Sequence, residues 1–591
     1  MRIERAEYAA ESFELALLHM GLVQTIRNWI SAWRGRGTPS ATVDFWNSDQ
    51  FMLKDVHGLS DELRLKIDEL IKANKGLESG LLNKRWVLPI EALDPLAELF
   101  PGAKIAPSVT ELNERTREQR ARFALSSAKM LDELPYQLDN FGIEMYPFQH
   151  AAVAYLLRAK QCVLGDEAGV GKTFPAIAAA CLVREPDSRI IVICPANLKL
   201  NWASEIKRAR PDDVIYICYG QKPTETLVGR EAWIILNYDI ATYWVEMLRT
   251  VKSNVVILDE MHNCKNPSAQ RSAACLQIAA GKPYRFGLTG TLFRNRHAEA
   301  FYPLRVLGQL EPLGGHAKLL REYCGGSEGV SVNSEGFNKL LRQHCYVRRE
   351  KRDVLTQLPA KTRAHLVVDI DNRKRYTTKE NDLIAWLRKM RLDPALWKTA
   401  RVEAMARMNQ LRQLTGTGKL PAAVDWIQDY LDQSEPGDKL VVFAYHRKVQ
   451  AGLHAAFPDA LHLFADDKLQ ERQDAKERFQ TDPSQRLIIC SLHVASEGIT
   501  LTAASTMLCV ELDYVPAMLF DQMEGRIDRN GQTRPTQVYY LLAENSIDQR
   551  MMRLLESKWR IVTAANTGQT MQADASIFDE LVDGFVREET R

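Results

Sequence analysis

The sequence predicts an α/β protein built from two parallel-sheet lobes, and three observations carry that prediction. Short apolar runs alternate with amphipathic stretches in two separate series, "CVL" at 162 through "YRFGLT" at 284 and "KLVVFAY" at 439 through "QVYYLL" at 537. Runs apolar on both strand faces belong to parallel sheets covered by helices on either side. Between the series, from 311 to 420, the pattern turns helical and charged. At 591 residues the chain is also too long for one core, and about three or four domains is the natural number.

In chain order, residues 1–140 read as a small N-terminal α+β domain in which helices dominate and little sheet signal is visible. Residues 141–310 form the first lobe, with strands at "CVL", "RIIVIC", "VIYIC", "AWIIL", "NVVIL" and "YRFGLT". Residues 311–420 form a mainly helical insert and interlobe region, its edges marked by glycine and proline in "LGGHAK" and "TGTGKLP". The second lobe, 421–575, carries "KLVVFAY", "ALHLF", "RLIICS", "TMLCVEL" and "QVYYLL", and 576–591 read as a tail.

Composition narrows the class. With 46% hydrophobic and 26% charged residues the chain is an ordinary globular protein, and a net charge of +2 excludes histone-like coating of DNA. A neutral molecule can still hold a basic groove. Ten scattered cysteines form no C-x-x-C pair and suit a reducing cytoplasm as small buried hydrophobes. No apolar run approaches 18 residues, so neither a membrane span nor a signal peptide is read. The expectation is a cytoplasmic or nucleoid-associated monomer with no membrane partner.

"CVLGDEAGVGKT", 162–173, sits between a short apolar strand and an amphipathic helix. Backbone N–H groups and the helix N-terminus of such a loop bind phosphate oxygens. Lys172 reaches the outer phosphates and Thr173 takes Mg²⁺. Gly169 and Gly171 stand where the backbone turns, yet the general formula asks for glycine where Asp166 stands. A plain glycine turn with a surface Lys-Thr is the competing reading. "NVVILDEMHN" ends its strand on Asp259 and Glu260, at the edge where parallel sheets bind ligands. Asp259 suits Mg²⁺ and Glu260 suits the attacking water, while a helix N-cap is the bland alternative. With the phosphate loop expected on an adjacent strand, hydrolysis of a bound phosphate ester becomes the favoured reaction.

These motifs resemble the SWI/SNF-type ATPases of helicase superfamily two, over residues 141 to about 565. The family's phosphate loop is D-E-x-G-x-G-K-T, matched by Asp166, Glu167, Gly169, Gly171, Lys172 and Thr173. Its acidic box D-E-x-H is matched by Asp259, Glu260 and His262. The resemblance implies two tandem RecA-like lobes, with ATP and Mg²⁺ between them and double-stranded DNA as the partner.

It implies residue roles as well. Gln149 in "MYPFQHAAVAYL" is placed at adenine, and "CPANLKLNWASEIKR" is placed at a DNA strand, with Trp202 packing and Lys207 and Arg208 near phosphate. "LTGTLFRN" couples ATP state to DNA grip through Thr289 and Thr291, with Leu292 in place of the usual proline. Arg348, Arg349, Lys351, Leu358, Pro359 and Lys361 match the pattern at the exit from the first lobe, where the arginines serve as interlobe or DNA contacts. In the second lobe Gly498, Thr500 and Leu501 touch DNA and the ATP site together. "DQMEGRIDRNGQ" supplies Gln522, Arg526 and Arg529, with Asp528 where many relatives have histidine and Asn530 where they have isoleucine. Arginines three apart share one face of a helix, from which Arg526 and Arg529 would neutralise the γ-phosphate.

Within the family the likeness is to the annealing-helicase, fork-remodelling branch. "KRWVLPIEALDPLAELFPG" at 84 resembles that branch's small HARP-type domain, with Lys84, Arg85 and Trp86 as candidate DNA contacts. The implied activity is ATP-dependent translocation on duplex DNA that remodels or anneals branched DNA. A strand-separating DNA or RNA helicase and a non-catalytic binding protein are the alternatives, and no wedge hairpin with an aromatic tip is visible between the second-lobe strands.

Overall fold

A computed structural model describes residues 40–45, 50–57, 81–82, 85–89, 93–94, 97 and 103–587, except 224–232, 291, 294–295, 329–330, 356, 392–393, 493–498, 514–521 and 567–576. The chain divides into two compact units, Met1–Ala121 and Arg122–Arg591.

The first unit carries the sheet of the expected α+β domain, where the sequence shows little strand signal. It holds a five-stranded sheet of β1 (Ser40–Phe45), β2 (Gln50–His57), β3 (Leu81–Leu82), β4 (Arg85–Pro89) and β5 (Lys104–Ile105), in the order β3-β4-β2-β1-β5. β1 and β2 pair antiparallel with Val43 opposite Leu53, and both side chains are buried. Two of the strands are only two residues long, and β2 carries Lys54 and Asp55 among its apolar residues, so neither leaves a clean period-two pattern.

In the second unit, lobe one is a seven-stranded parallel sheet: β6 (Gln161–Leu164), β7 (Ile190–Cys194), β8 (Ile215–Ile217), β9 (Trp233–Asn237), β10 (Val255–Asp259), β11 (Tyr284–Leu288) and β12 (Tyr346–Val347), in the order β12-β6-β11-β10-β7-β9-β8. Every residue of β7 and β9 is buried, as their continuous apolar text requires. Lobe two is a six-stranded parallel sheet: β13 (Lys361–Val368), β14 (Leu440–Ala444), β15 (Leu461–Leu463), β16 (Leu487–Ser491), β17 (Thr506–Cys509) and β18 (Thr536–Ala543), in the order β13-β18-β17-β14-β16-β15. Each fully buried Val, Leu, Ile or Phe contributes about 1.5–3 kcal/mol, so these sheets and their covering helices form the two stable bodies on which the loops are mounted.

The expected insert, 311–420, is not a separate body. Leu319, Phe337 and Leu341 from its first helices lie in the lobe-one core, while Tyr376, Leu383, Leu387, Met408 and Leu411 from its later helices lie in that of lobe two. It also contributes an edge strand to each sheet: β12 pairs with β6 (Tyr346 beside Val163), and β13 runs along β18 from Lys361 beside Thr536 to Val368 beside Ala543. The segment read as a tail contains a helix, Ile577–Arg587, whose Phe578, Leu581, Val582 and Phe585 are buried in the lobe-two core. Among the described residues no helix is long and apolar enough to cross a membrane. Nine cysteines are buried, Cys181 is half-buried, and all ten are free.

Candidate active site

The chemistry gathers at the C-terminal ends of β6, β10 and β11. After β6 the chain turns through Gly169 and Gly171, at φ of 86° and 91°, and enters the helix Thr173–Val183. A side chain in that left-handed region costs about 1–2 kcal/mol. At Gly171 a Cβ would also lie 2.8 Å from Nε2 of Gln149. Lys172 lies inside the loop, its ammonium donating to the carbonyls of Asp166 (2.8 Å) and Glu167 (3.3 Å). Burial pulls its pKa below the ordinary lysine value, against the upward pull of Glu260, Asp166 and Asp259.

Asp166, where the general formula wants glycine, has no positive φ and needs none. Its carboxylate accepts the backbone N–H of Arg349 at 2.8 Å and the guanidinium at 3.0 Å, in an ion pair whose side chains are only 2% and 3% exposed. Asp166 is therefore an anchor of the loop rather than a nucleotide ligand. The same bond corrects the reading of Arg349 as a DNA contact: it is buried, and it also donates to the carbonyls of Ala128 and Leu125. Arg348 points inward too, bridging the carbonyls of Gly165 (3.1 Å) and Gly290 (2.7 Å). The β12 ladder continues past the strand, Gly165 N–H to Val347 and Glu167 N–H to Arg349, so the phosphate loop is zipped to the segment that leaves the lobe. The Glu167 carboxylate closes this ladder by accepting the Lys351 N–H at 2.8 Å.

β10 is not adjacent to β6. β11 lies between them, in register with both. This corrects the expected neighbour relation, and it sets Thr289, just beyond β11, among the catalytic groups. Thr289 meets Nδ1 of His262 at 3.1 Å and donates to Glu260 at 3.5 Å, while His262 lies 3.3 Å from the same carboxylate oxygen. Glu260 adopts φ 49°, ψ 50°, a left-handed conformation uncommon outside glycine. Burial alone would raise its carboxyl, but the hydrogen bond and charge of His262, with Lys172 and Arg526, hold it down to about 2. Asp259 goes the other way, raised to about 7 by burial and by the charge of Glu260, although Trp202 and Lys172 oppose the rise. Two adjacent carboxylates thus receive opposite environments, one kept ionised and one ready to give up its proton to a bound cation.

Trp202 donates its indole N–H to Oδ2 of Asp259 at 2.8 Å and is 1% exposed. It packs in the core and positions the acid. The Tyr238 hydroxyl donates to the Asp259 carbonyl at 2.7 Å. Neither role has a local sequence signature, since both partners lie more than twenty residues from Asp259. Lys207 is exposed and braces the turn after its helix, donating to the carbonyls of Pro211 and Asp213. The Gln149 side-chain carbonyl accepts the Tyr146 N–H (3.0 Å) and its amide donates to the Gly171 carbonyl (3.0 Å), so it ties a helix start to the phosphate loop.

From lobe two, Arg526 lies close enough for its charge to depress Glu260, and a Cβ at Gly169 would lie 3.0 Å from that of Arg529. Arg529 donates to the Thr500 hydroxyl at 2.8 Å. The two arginines do not share a helix face as expected. The helix ends at Glu524 and they ride on successive turns. The buried Gln532 amide fixes those turns, donating to the carbonyls of Ile527, Thr502 and Ala504. Gln522 is buried. Thr291, Gly498 and Lys84, and the side chains of Arg85 and Trp86, lie outside the described residues.

The donor set fits a magnesium nucleotide. It offers a glycine cradle that a Cβ would fill, a lysine inside it, the Thr173 hydroxyl at a helix N-terminus, and the Asp259 carboxylate on the same edge. Two family models match the chain, the SNF2-related domain over residues 123–417 and the helicase conserved C-terminal domain over 422–531. The DNA annealing helicase and endonuclease ZRANB3 of Bos taurus is 29% identical over 482 residues, 77% of this chain and 43% of that protein. The Caenorhabditis elegans homologue of SWI/SNF-related matrix-associated actin-dependent regulator of chromatin subfamily A-like protein 1 is 26% identical, over 70% of this chain and 61% of that one. The chain thus spans less than half the length of the first relative and under two thirds of the second. The Sulfolobus solfataricus SWI2/SNF2 ATPase core in complex with dsDNA aligns at 19% identity with a TM-score of 0.36, over 74% of this chain and 96% of that one.

Proposed function

Because the chain belongs to the SWI/SNF-type ATPases of helicase superfamily two, we propose that it is a DNA-dependent ATPase that translocates on duplex DNA and remodels or anneals branched DNA. One observation carries the hydrolytic part: Lys172, Asp259 and Glu260 on lobe one face Arg526 and Arg529 from lobe two across one cleft. The branch rests on the annealing helicase named among the relatives, and a role in recognising branches is proposed for the sheet-bearing N-terminal unit.

Lys172 exchanges its two loop carbonyls for phosphate oxygens, and the backbone N–H groups around Gly169 and Gly171 line the same phosphates. Asp259 and Thr173 would hold Mg²⁺, which would supply positive charge to the site. Glu260, kept ionised by His262, Lys172 and Arg526, orients the attacking water and accepts its proton. Arg526 and Arg529 neutralise the transferring phosphoryl group, an effect of about 10³–10⁵ in rate. Thr289 connects Glu260 and His262 to the loop that follows β11, so a change at the phosphates is passed to that loop. Lobes that alternately grip backbone phosphates can move along one strand without reading bases.

The test is ATP hydrolysis with duplex, single-stranded, forked DNA and RNA in parallel, at fixed salt because phosphate contacts are salt dependent. Duplex and forked DNA are expected to stimulate most, and a triplex-forming strand is expected to be displaced. Lys172→Ala should lose ATP binding, whereas Glu260→Gln should bind ATP and turn over about 10²–10⁴-fold more slowly. Processive unwinding of long tailed duplexes with the triplex strand left in place would overturn the translocase reading.

A further inference from the structure

The two positions where the second-lobe arginine motif departs from the family pattern, Asp528 and Asn530, both bond across the cleft to lobe one. Lys351 donates its ammonium to the Asp528 carbonyl at 2.6 Å and to the Asp528 carboxylate at 3.1 Å. That ammonium group also lies against the phosphate loop, since a Cβ at Gly169 would sit 3.0 Å from Cε and 3.3 Å from Nζ of Lys351. Asn530 accepts the Tyr146 hydroxyl at 2.9 Å, and its N–H donates to the Gly169 carbonyl at 3.3 Å. Lys361 holds Asp528 from the lobe-two side at 3.1 Å.

We propose that Lys351, Asp528 and Asn530 form an interlobe clasp that sets Arg526 and Arg529 over the phosphate loop, which makes all three positioning residues for ATP hydrolysis. Asp528 lies two residues after Arg526 and one before Arg529, so its backbone cannot move without moving both. The Lys351 ammonium bonds the Asp528 carbonyl and occupies the space that a Cβ at Gly169 would need, and therefore fixes the height of the arginine turns above the phosphate loop. Asn530 fixes the same turns sideways, between Tyr146 and Gly169. Histidine and isoleucine, the residues of many relatives, would offer neither a carboxylate to the ammonium nor an acceptor to the hydroxyl.

The inference rests on the ATPase reading, and its test keeps the two separable. Turnover at saturating ATP, KM for ATP and the thermal unfolding midpoint are measured for Lys351→Met, Asp528→Asn, their double variant and Asn530→Ala, with and without duplex DNA. A displacement of about 1 Å in a catalytic group costs about 10²-fold. Each charge variant is thus expected to lose about 10²-fold in kcat with little change in KM, and the double variant no more than the worse single one, because the two share one interaction. Asn530→Ala should fall in the same sense by less. Multiplied losses in the double variant, unchanged kcat, or losses that track a lowered unfolding midpoint would overturn the clasp. Wild-type hydrolysis that duplex fails to stimulate would instead overturn the translocase reading, with the same cycle on unstimulated turnover still deciding the clasp.

Discussion

The segment that joins the lobes adds a strand to both sheets, and the two added strands are fixed differently. On lobe one, β12 is two residues long and its hold depends on the Arg349–Asp166 pair, sealed at 2% and 3% exposure. On lobe two, β13 runs in register for eight residues. Its Lys361 (2.8 Å) and Arg363 (2.6 Å) share one carboxylate, that of Glu524, which also accepts the Tyr540 hydroxyl. Those cations remain 23% and 34% exposed. On lobe one a sealed ion pair reinforces a backbone ladder that runs on from β12 into the phosphate loop. On lobe two the anchor is a shared, fully buried carboxylate whose two cations water partly reaches. In both lobes the anchored acid belongs to a catalytic loop, Asp166 before the phosphates and Glu524 before the arginines.

The largest expected effect comes from breaking the sealed anchor. Arg349→Ala leaves Asp166 buried without a countercharge, a loss of about 3–5 kcal/mol. Chemical denaturation should register it in the lobe-one transition, and a loss below about 1 kcal/mol would remove the contrast between the β12 and β13 anchors.

Acid separates the anchors next. Burial would raise the Glu524 carboxyl, yet Lys361 and Arg363 hold it at about 2, well below its ordinary 4.5. A depressed folded pKa stabilises fully above the unfolded value, and the contribution is lost as pH falls towards the folded one. Stability of lobe two should therefore decline between about pH 4.5 and 2, and Glu524→Gln should flatten that decline. A variant with the wild-type acid limb would show that Glu524 is not its source.

The smallest effect probes the point where the lobes meet, over Gly169. Gly169→Ala imposes about 1–2 kcal/mol of backbone strain, and its methyl group would lie 3.0 Å from both Arg529 and Lys351. ATP affinity should fall about tenfold, the equivalent of about 1.4 kcal/mol, with the unfolding midpoint of lobe one lowered by a few degrees and that of lobe two unchanged. Unaltered affinity would mean that the loop can relax away from lobe two.

Much of this was legible because it is local. All eleven strands read from apolar runs in the two lobes are present, and the phosphate loop and acidic pair fall at strand ends. What stayed hidden is written over long separations. Asp166 and Arg349 are 183 residues apart, Trp202 and Asp259 57, Lys351 and Asp528 177. β13, "KTRAHLVV", is half-buried and carries two cations, so it merged with the charged helical text around it. Arg348 and Arg349 looked like a solvated or DNA-facing run, and only their partners' carbonyls and carboxylate distinguish that from an internal brace.

The single segment that supplies an edge strand to both sheets also gives the molecule a natural seam. Each lobe's added strand lies on its own side of the short link between Leu355 and Lys361. A chain cut there keeps seven strands of the lobe-one sheet in one piece and six of the lobe-two sheet in the other, each with its anchoring ion pair. Among the described residues the pieces still meet across the cleft, where Lys351 and Tyr146 bond to Asp528 and Asn530. The proposed translocation would, in such a two-piece form, depend on how strongly the halves find each other, which turns an intramolecular link into a concentration-dependent assembly.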